Sequence, residues 1–196
     1  MQRLLDAAME AFDRRGYYAT RVNDVVELAH TSHGTFYLYF ANKEDLLRAL
    51  VEEASSKVRD LYESLNSTQP TRASWTGVRK WVVEYSNLWV RYAPIFRTWT
   101  ELADIDPDLG ELMRSTINAL ADSVSNQIAR TALADSTQPV DSKSAGLAIL
   151  AMLDRFHYLR EFVDRPLDNS AIDTLTTIIY RSLFQEPDAT ASNQQL

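Results

Sequence analysis

From Ser32 to Lys43 the chain reads Ser-His-Gly-Thr-Phe-Tyr-Leu-Tyr-Phe-Ala-Asn-Lys, and these are side chains suited to touching a nucleic acid. Ser32, His33, Gly34 and Thr35 offer two hydroxyls, an imidazole and a stretch of bare backbone, which fits close approach to base edges and phosphates. Phe36 and Phe40 stand four apart and can share one buried face. With both of them inside, Tyr37 and Tyr39 cannot both be buried, so at least one phenol must face solvent or a phosphate. Nothing comparable points to catalysis. The three histidines, His30, His33 and His157, have no serine or carboxylate partner at a usable spacing, and the chain has no glycine-rich phosphate loop and no histidine-rich metal pattern. The absence of cysteine removes thiolate zinc sites, cysteine nucleophiles and disulfide scaffolds together. No catalytic residue, metal ligand or cofactor is expected.

The elements that position this run follow from hydrophobic period. Leu4, Leu5, Ala8, Met9, Ala11 and Phe12 recur at helical steps up to Gly16, a suitable residue just past a helix C-terminus. Thr20 then offers an N-cap oxygen to a short second helix built on Val22, Val25, Val26 and Ala29 and ending near His30. A third short helix is predicted over Ser32 to Phe40, and Asn42 caps a fourth that runs from Lys43 through Leu46, Leu50, Val58 and Leu65. Two short helices joined by a tight turn, the second opening on small polar side chains, meet the requirements of a helix-turn-helix reader. Taken alone, the same pattern also suits two short helices of an ordinary bundle.

Beyond the loop at Asn66 to Pro70 the helices lengthen. A stripe from Val78 to Tyr92 is broken at Pro94, a short helix follows from Ile95 to about Ala103, and others are predicted from Asp108 to about Ala134, from 142 to 163 and from Asn169 to Leu183. The count is nine, in an all-α fold. With 196 residues, 45% of them hydrophobic, the chain can hold one good core or two small ones. No uncharged apolar run approaches the ~18 residues a membrane span needs, and no signal peptide is visible, which predicts a cytoplasmic protein with no membrane partner. Net charge is −7, but residues 1–50 hold six basic side chains against seven acidic ones, so the N-terminal quarter is nearly neutral. Charge alone does not decide whether it binds phosphate, because the face on which the basic groups sit matters more than their number.

The N-terminal pattern resembles the TetR family of bacterial transcriptional repressors. The resemblance rests on Ala7-Ala8, Phe12, Gly16-Tyr17 and Thr20, then Val25 and Ala29, then Ser32, Gly34-Thr35-Phe36-Tyr37, Tyr39-Phe40, Lys43 and Leu46, all at ordered spacing within residues 3–50. It implies an all-helical homodimer, which the count of nine helices fits, with a helix-turn-helix DNA-binding domain at 1–45 and an effector-binding and dimerisation domain at 46–185; by composition the tail at 186–196 reads as disordered. By the same resemblance Thr20 caps the second helix and touches a phosphate, His33 and Thr35 face the major groove of an operator duplex, and Tyr37 and Lys43 hold the DNA backbone. Lys43, at a helix start, also suits a phosphate on physical grounds, combining its charge with the helix dipole; the plain alternative is a solvated lysine. His30 occupies a turn position where the family usually has glycine, which predicts strain there. Leu38 either meets a thymine methyl or packs internally.

In the C-terminal part the residues lead. All four tryptophans fall between Trp75 and Trp99, and Trp81, Tyr85 and Trp89 lie four apart on one helix face. With Phe96, Trp99, Met113, Met152 and Phe156 they suit either the wall of an apolar pocket for a lipophilic or flat aromatic effector or an ordinary aromatic core. Arg155 and His157 read either as contacts to a polar group of an effector or as an interface or surface pair. Ile172, Leu175, Ile178, Ile179 and Leu183 carry more apolar surface than one core-facing stripe needs; Ile172, Leu175, Ile179 and Leu183 are therefore the expected dimer contacts. A purely structural adaptor dimer would account for the bundle and leave the run from Gly34 to Lys43 without a purpose.

Overall fold

The computed structural model describes residues 1–67, 75–129 and 141–184. Its regular elements are α1 (Gln2–Arg15), α2 (Val22–Leu28), α3 (His33–Tyr37), α4 (Lys43–Ser67), α5 (Trp75–Leu102), α6 (Pro107–Ala129), α7 (Ser142–Phe162) and α8 (Asn169–Phe184). Among the described residues there are thus eight helices and no strand, where the sequence predicts nine helices.

The missing boundary is at Pro94, which lies inside α5. A proline there removes one backbone hydrogen bond and crowds the preceding turn, at about 3 kcal/mol. Tyr92, Ile95 and Trp99, flanking it, are all buried in one core, and each large side chain so placed contributes about 1.5–3 kcal/mol. Burial outweighs the break, and the two predicted helices are one.

Other boundaries moved by a few residues. The third helix is shorter than the expected Ser32 to Phe40 because Leu38 to Phe40 leave the helical path. α6 begins on Pro107, whose missing N–H is no loss at the first helical position, and Asp106 caps it by accepting from the N–H groups of Asp108 and Leu109 at 3.0 and 3.2 Å. The predicted cap on α4 is present: Asn42 Oδ1 accepts from Asp45 N at 2.7 Å. The expected continuation of α6 to Ala134, the loop at 135–140 and the tail at 186–196 lie outside the described residues.

The chain divides into two compact units. Unit 1 comprises Met1–Val58 and Leu88–Thr116; unit 2 comprises Arg59–Asn87 and Ile117–Leu196. The boundary anticipated between residues 45 and 46 falls in the first turn of α4, inside unit 1.

In unit 1, α1 packs on α2 and α2 on α3. Their apolar faces, with Leu5, Phe12, Val25 and Phe36, share a core with Leu46, Leu50, Tyr92, Ile95, Trp99 and Leu109. Gly16, at φ +76°, lets the chain leave α1 by a backbone path that a side chain would disfavour. The guanidinium of Arg48 on α4 bridges Asp106 and Asp108 at the start of α6.

Unit 2 buries Tyr62, Trp81, Val82, Tyr85, Val124, Leu153, Leu175 and Ile179. A side chain on Gly146 of α7 would meet the Ala121 carbonyl oxygen at 2.6 Å and the Ser125 nitrogen at 3.2 Å, so only glycine permits that approach to α6.

Candidate nucleic-acid interface

The turn between α2 and α3 is built from backbone hydrogen bonds. After Leu28 the chain passes through Ala29 to His30 at φ +48°, with His30 N donating to Glu27 O at 3.0 Å and Thr31 N to Val26 O at 3.0 Å. These two bonds form a Schellman helix end, which normally favours glycine at the left-handed position. The strain expected at His30 is therefore real, and Arg3 Nη2 offsets part of it by donating to Ala29 O at 2.6 Å.

Ser32 follows at once as the N-cap of α3, its hydroxyl oxygen accepting from Thr35 N at 3.1 Å. Phe36 points into the core, joined by Phe40 with ring centroids 5.8 Å apart. The opposite side of the segment is open: Ser32, His33, Gly34, Tyr37, Leu38 and Tyr39 are exposed and Thr35 is half-buried. Both tyrosines face outward, and Leu38, 81% exposed, does not pack within the chain.

His33 is held in place by its neighbours. Glu27 Oε1 accepts from Asn23 Nδ2 at 2.6 Å, which turns the Asn23 oxygen toward His33 Nε2 at 3.1 Å. Nε2 is therefore the donor, and a neutral His33 presents Nδ1 as an acceptor. Its ring stacks on Tyr37 at 6.5 Å.

Two residues expected at phosphates have work inside the fold. The N-cap of α2 is Arg21, not Thr20; Arg21 N donates to Asp24 Oδ2 at 2.8 Å. Thr20 is buried, its hydroxyl donating to Gly16 O at 2.8 Å, because the tight exit from α1 brings that carbonyl within reach. Lys43 Nζ donates to Tyr17 O at 2.9 Å, Thr20 O at 3.0 Å and Tyr18 O at 3.5 Å, and lies 4.3 Å from the centre of the Tyr17 ring. An ammonium has three protons, and here each finds a carbonyl of the α1–α2 loop. Arg21 and Asn23, both exposed at the start of α2 and not singled out from sequence, join the candidate interface, Asn23 through its contact with His33; polar residues at a helix start were the available signal.

The residues expected to line an effector pocket separate by unit. Trp89, Phe96, Trp99 and Met113 belong to unit 1, where Trp99 Nε1 donates to Leu109 O at 2.9 Å and Phe96 and Met113 pack against the core. Trp81, Tyr85, Met152 and Phe156 belong to unit 2. There Trp81 and Tyr85 stack with centroids 5.7 Å apart, and Tyr62 meets both edge-on at 5.2 and 6.0 Å. His157, fully buried rather than at the surface, stands 5.3 Å from Tyr85 and from Phe156. Its Nδ1 donates to Leu153 O at 2.8 Å and its Nε2 accepts from Ser86 Oγ at 2.9 Å. Burial holds this imidazole below its usual pKa, the Leu153 carbonyl opposing and Arg160 adding to the effect. Arg155 is exposed and lies over Tyr158.

Of the expected dimer contacts, Ile172, Leu175 and Ile179 are buried within unit 2 itself and leave no surface for a partner, while the Leu183 side chain lies outside the described residues. Sequence period alone cannot separate a face buried in the same chain from one buried against a copy. The exposed apolar residues here are Leu147, Tyr158, Leu159, Phe162 and Val163 on and just after α7, with Ile178 on α8. No helix among the described residues is long and apolar enough to cross a membrane.

Comparison with known proteins bears on the same region. The family model for bacterial regulatory proteins of the TetR family matches residues 4–50, the stretch that forms α1 to α3 and the start of α4. A curated but uncharacterized HTH-type transcriptional regulator of Bacillus subtilis, YdgC, is 41% identical over 64 residues, 33% of each chain. The fatty acid metabolism regulator protein of the same organism is 42% identical over 50 residues, 26% of each chain. This chain thus spans a third or less of the length of these curated relatives. Over nearly the whole length, the fold is similar to the crystal structure of the regulator FadR from Bacillus subtilis in complex with stearoyl-CoA, with TM-score 0.68 and 20% identity over 95% of this chain and 98% of that one. Residues 4–50 are similar to the DNA-binding part of the TetR family.

The family match and the open face of α3 coincide, and the relatives matched over this stretch are named as regulators. The similarity of the TetR fold beyond residue 50 concerns architecture alone.

Proposed function

We propose that the chain is a transcriptional repressor that binds a palindromic operator as a dimer and releases it on binding a small lipophilic or aromatic effector. The observation that carries the DNA-binding part is the short α3, seated by Phe36 and opened by the Ser32 cap, with Ser32, His33, Gly34, Tyr37, Leu38 and Tyr39 all outward. In this reading His33 and Thr35 address base edges, Tyr37 and Tyr39 hold the phosphate backbone, and Leu38 offers an apolar contact to a thymine methyl. Thr20 and Lys43 act on DNA through the loop they fasten.

The effector reading is supported by the aromatic cluster of unit 2, Trp81, Tyr85 and Phe156 with Tyr62, and by the stearoyl-CoA bound to the similar FadR. For the dimer, the apolar residues left outside on α7, chiefly Leu147, Leu159 and Phe162, are the surface a second copy would cover. Two-fold symmetry then places recognition helices in major grooves about 34–36 Å apart, or a multiple of that distance.

The test is affinity for upstream DNA across a salt series. Phosphate contacts give a falling log–log slope. Tyr37→Phe should weaken all sequences alike, by a few-fold, and Thr35→Ala should change preference among them. Salt-independent binding, or no binding to any duplex, would overturn the assignment.

A further inference from the structure

Around His33 the chain keeps two residues that folding alone does not ask for. Gly34 lies inside α3, where glycine weakens a helix relative to alanine. A side chain there would meet only Ser32 Oγ at 3.6 Å, an ordinary contact, so the fold leaves room for one. Bare backbone beside His33 therefore suits the close approach of something outside the chain. Glu27 on α2 is the second. It is an exposed carboxylate joined to His33 through Asn23, a place where the phosphates of a bound duplex would repel it.

The use of Glu27 is to orient. A carboxylate only accepts, so Asn23 turns its NH2 group to Glu27 Oε1, at 2.6 Å, and its oxygen to His33. That oxygen also only accepts, so the proton of a neutral His33 sits on Nε2, 3.1 Å away. Nδ1 is left as a lone acceptor without a hydrogen bond among the described residues. It belongs to an exposed ring that Tyr37 holds in a stack at 25°. On the major-groove edge an acceptor finds a partner in the exocyclic amine of adenine or cytosine, whereas guanine and thymine present acceptors to it.

We propose that Glu27 and Asn23 fix His33 as a hydrogen-bond acceptor, so that its Nδ1 selects an amino base, adenine or cytosine, over a keto base, guanine or thymine, at one position of the bound duplex. This rests on the reading of α3 as the element that meets base edges and adds the class of base it takes. His33 is the reading residue; Asn23 and Glu27 are positioning residues that act through it. An imidazole with its proton on Nδ1 would carry the opposite preference, because it would donate to guanine O6 or N7 or to thymine O4.

The experiment uses the full chain and a library of randomised duplexes, selected for binding at pH 8, above the usual titration range of imidazole, and counted by sequencing. One position should favour adenine or cytosine over guanine or thymine by about fivefold, the worth of a single hydrogen bond. His33→Ala should flatten that position and keep the order of preference at the others. Asn23→Leu, similar in size but unable to donate or accept, should cut the preference to about twofold or less. In the free wild type, nitrogen-15 NMR of labelled histidine should show His33 protonated at Nε2 and bare at Nδ1, a signature that a merely structural role would not require. Binding without an amino-base preference, a preference that survives His33→Ala or stays whole in Asn23→Leu, or a proton on Nδ1 would each overturn the inference. Salt-dependent DNA binding retained in those cases leaves the regulator reading standing; failure of the wild type to bind any duplex would remove both.

Discussion

At the scale of single residues, the same side-chain chemistry served different ends from those the sequence suggests. Lys43 and Thr20 are donors, and donors suit phosphates, but a loop carbonyl within 3 Å is an equally good acceptor and is always present. His157 shows the opposite case: from sequence it reads either as an effector contact or as an interface or surface residue, and it is a buried group, its tautomer set by the Leu153 carbonyl and Ser86. Its folded-state pKa lies below the unfolded value of about 6.5. The neutral form is thus favoured by folding, so its contribution is fully present above pH 6.5 and is lost as pH falls through the folded value. Urea unfolding from pH 7.5 down to 5 should show stability declining over this range. The decline should be shallower in His157→Gln, and an identical pH slope in the two proteins would contradict the assignment.

At the scale of elements, helix interiors were legible and helix ends were not. The periodic faces of α1, α2 and α4 are written in Leu, Val and Ala at three- and four-residue steps, and burial follows them closely. The ends depend on one or two backbone hydrogen bonds, and Pro94 depends on how much its flanks bury. The α2–α3 turn tests the energetics directly. His30 is exposed and sits at φ +48°, where a side chain costs about 1 kcal/mol relative to glycine. His30→Gly should therefore raise stability by about 1 kcal/mol, read as a higher urea midpoint with an unchanged m-value, and leave salt-dependent DNA binding intact. Asp164 after α7 repeats the arrangement at φ +50°, with Asp164 N and Arg165 N donating back to Glu161 O and Arg160 O.

At the scale of the molecule, the question is which apolar surface a second copy covers. α8 turns Ile172, Leu175 and Ile179 into its own unit, whereas Phe162 at the end of α7 is 77% exposed. Phe162→Glu should shift sedimentation toward the monomer and weaken operator binding at least tenfold, since a palindrome is held by two linked recognition helices. A variant that remains dimeric with full affinity would place the interface elsewhere. Because the substitution lies at an exposed position, the melting temperature of unit 2 should change little.

The amino-acid sequence by itself determined the all-helical class, the helix-turn-helix run and the outward placement of at least one of Tyr37 and Tyr39, because each follows from spacing within a few helical turns. Only the tertiary structure decided that Thr20, Lys43 and His157 point inward, that α5 continues through Pro94, and that the aromatic residues from Trp81 to Trp99 divide between two units. Local period records that a face is buried; what buries it, and which donor finds which acceptor, is settled by segments far away along the chain.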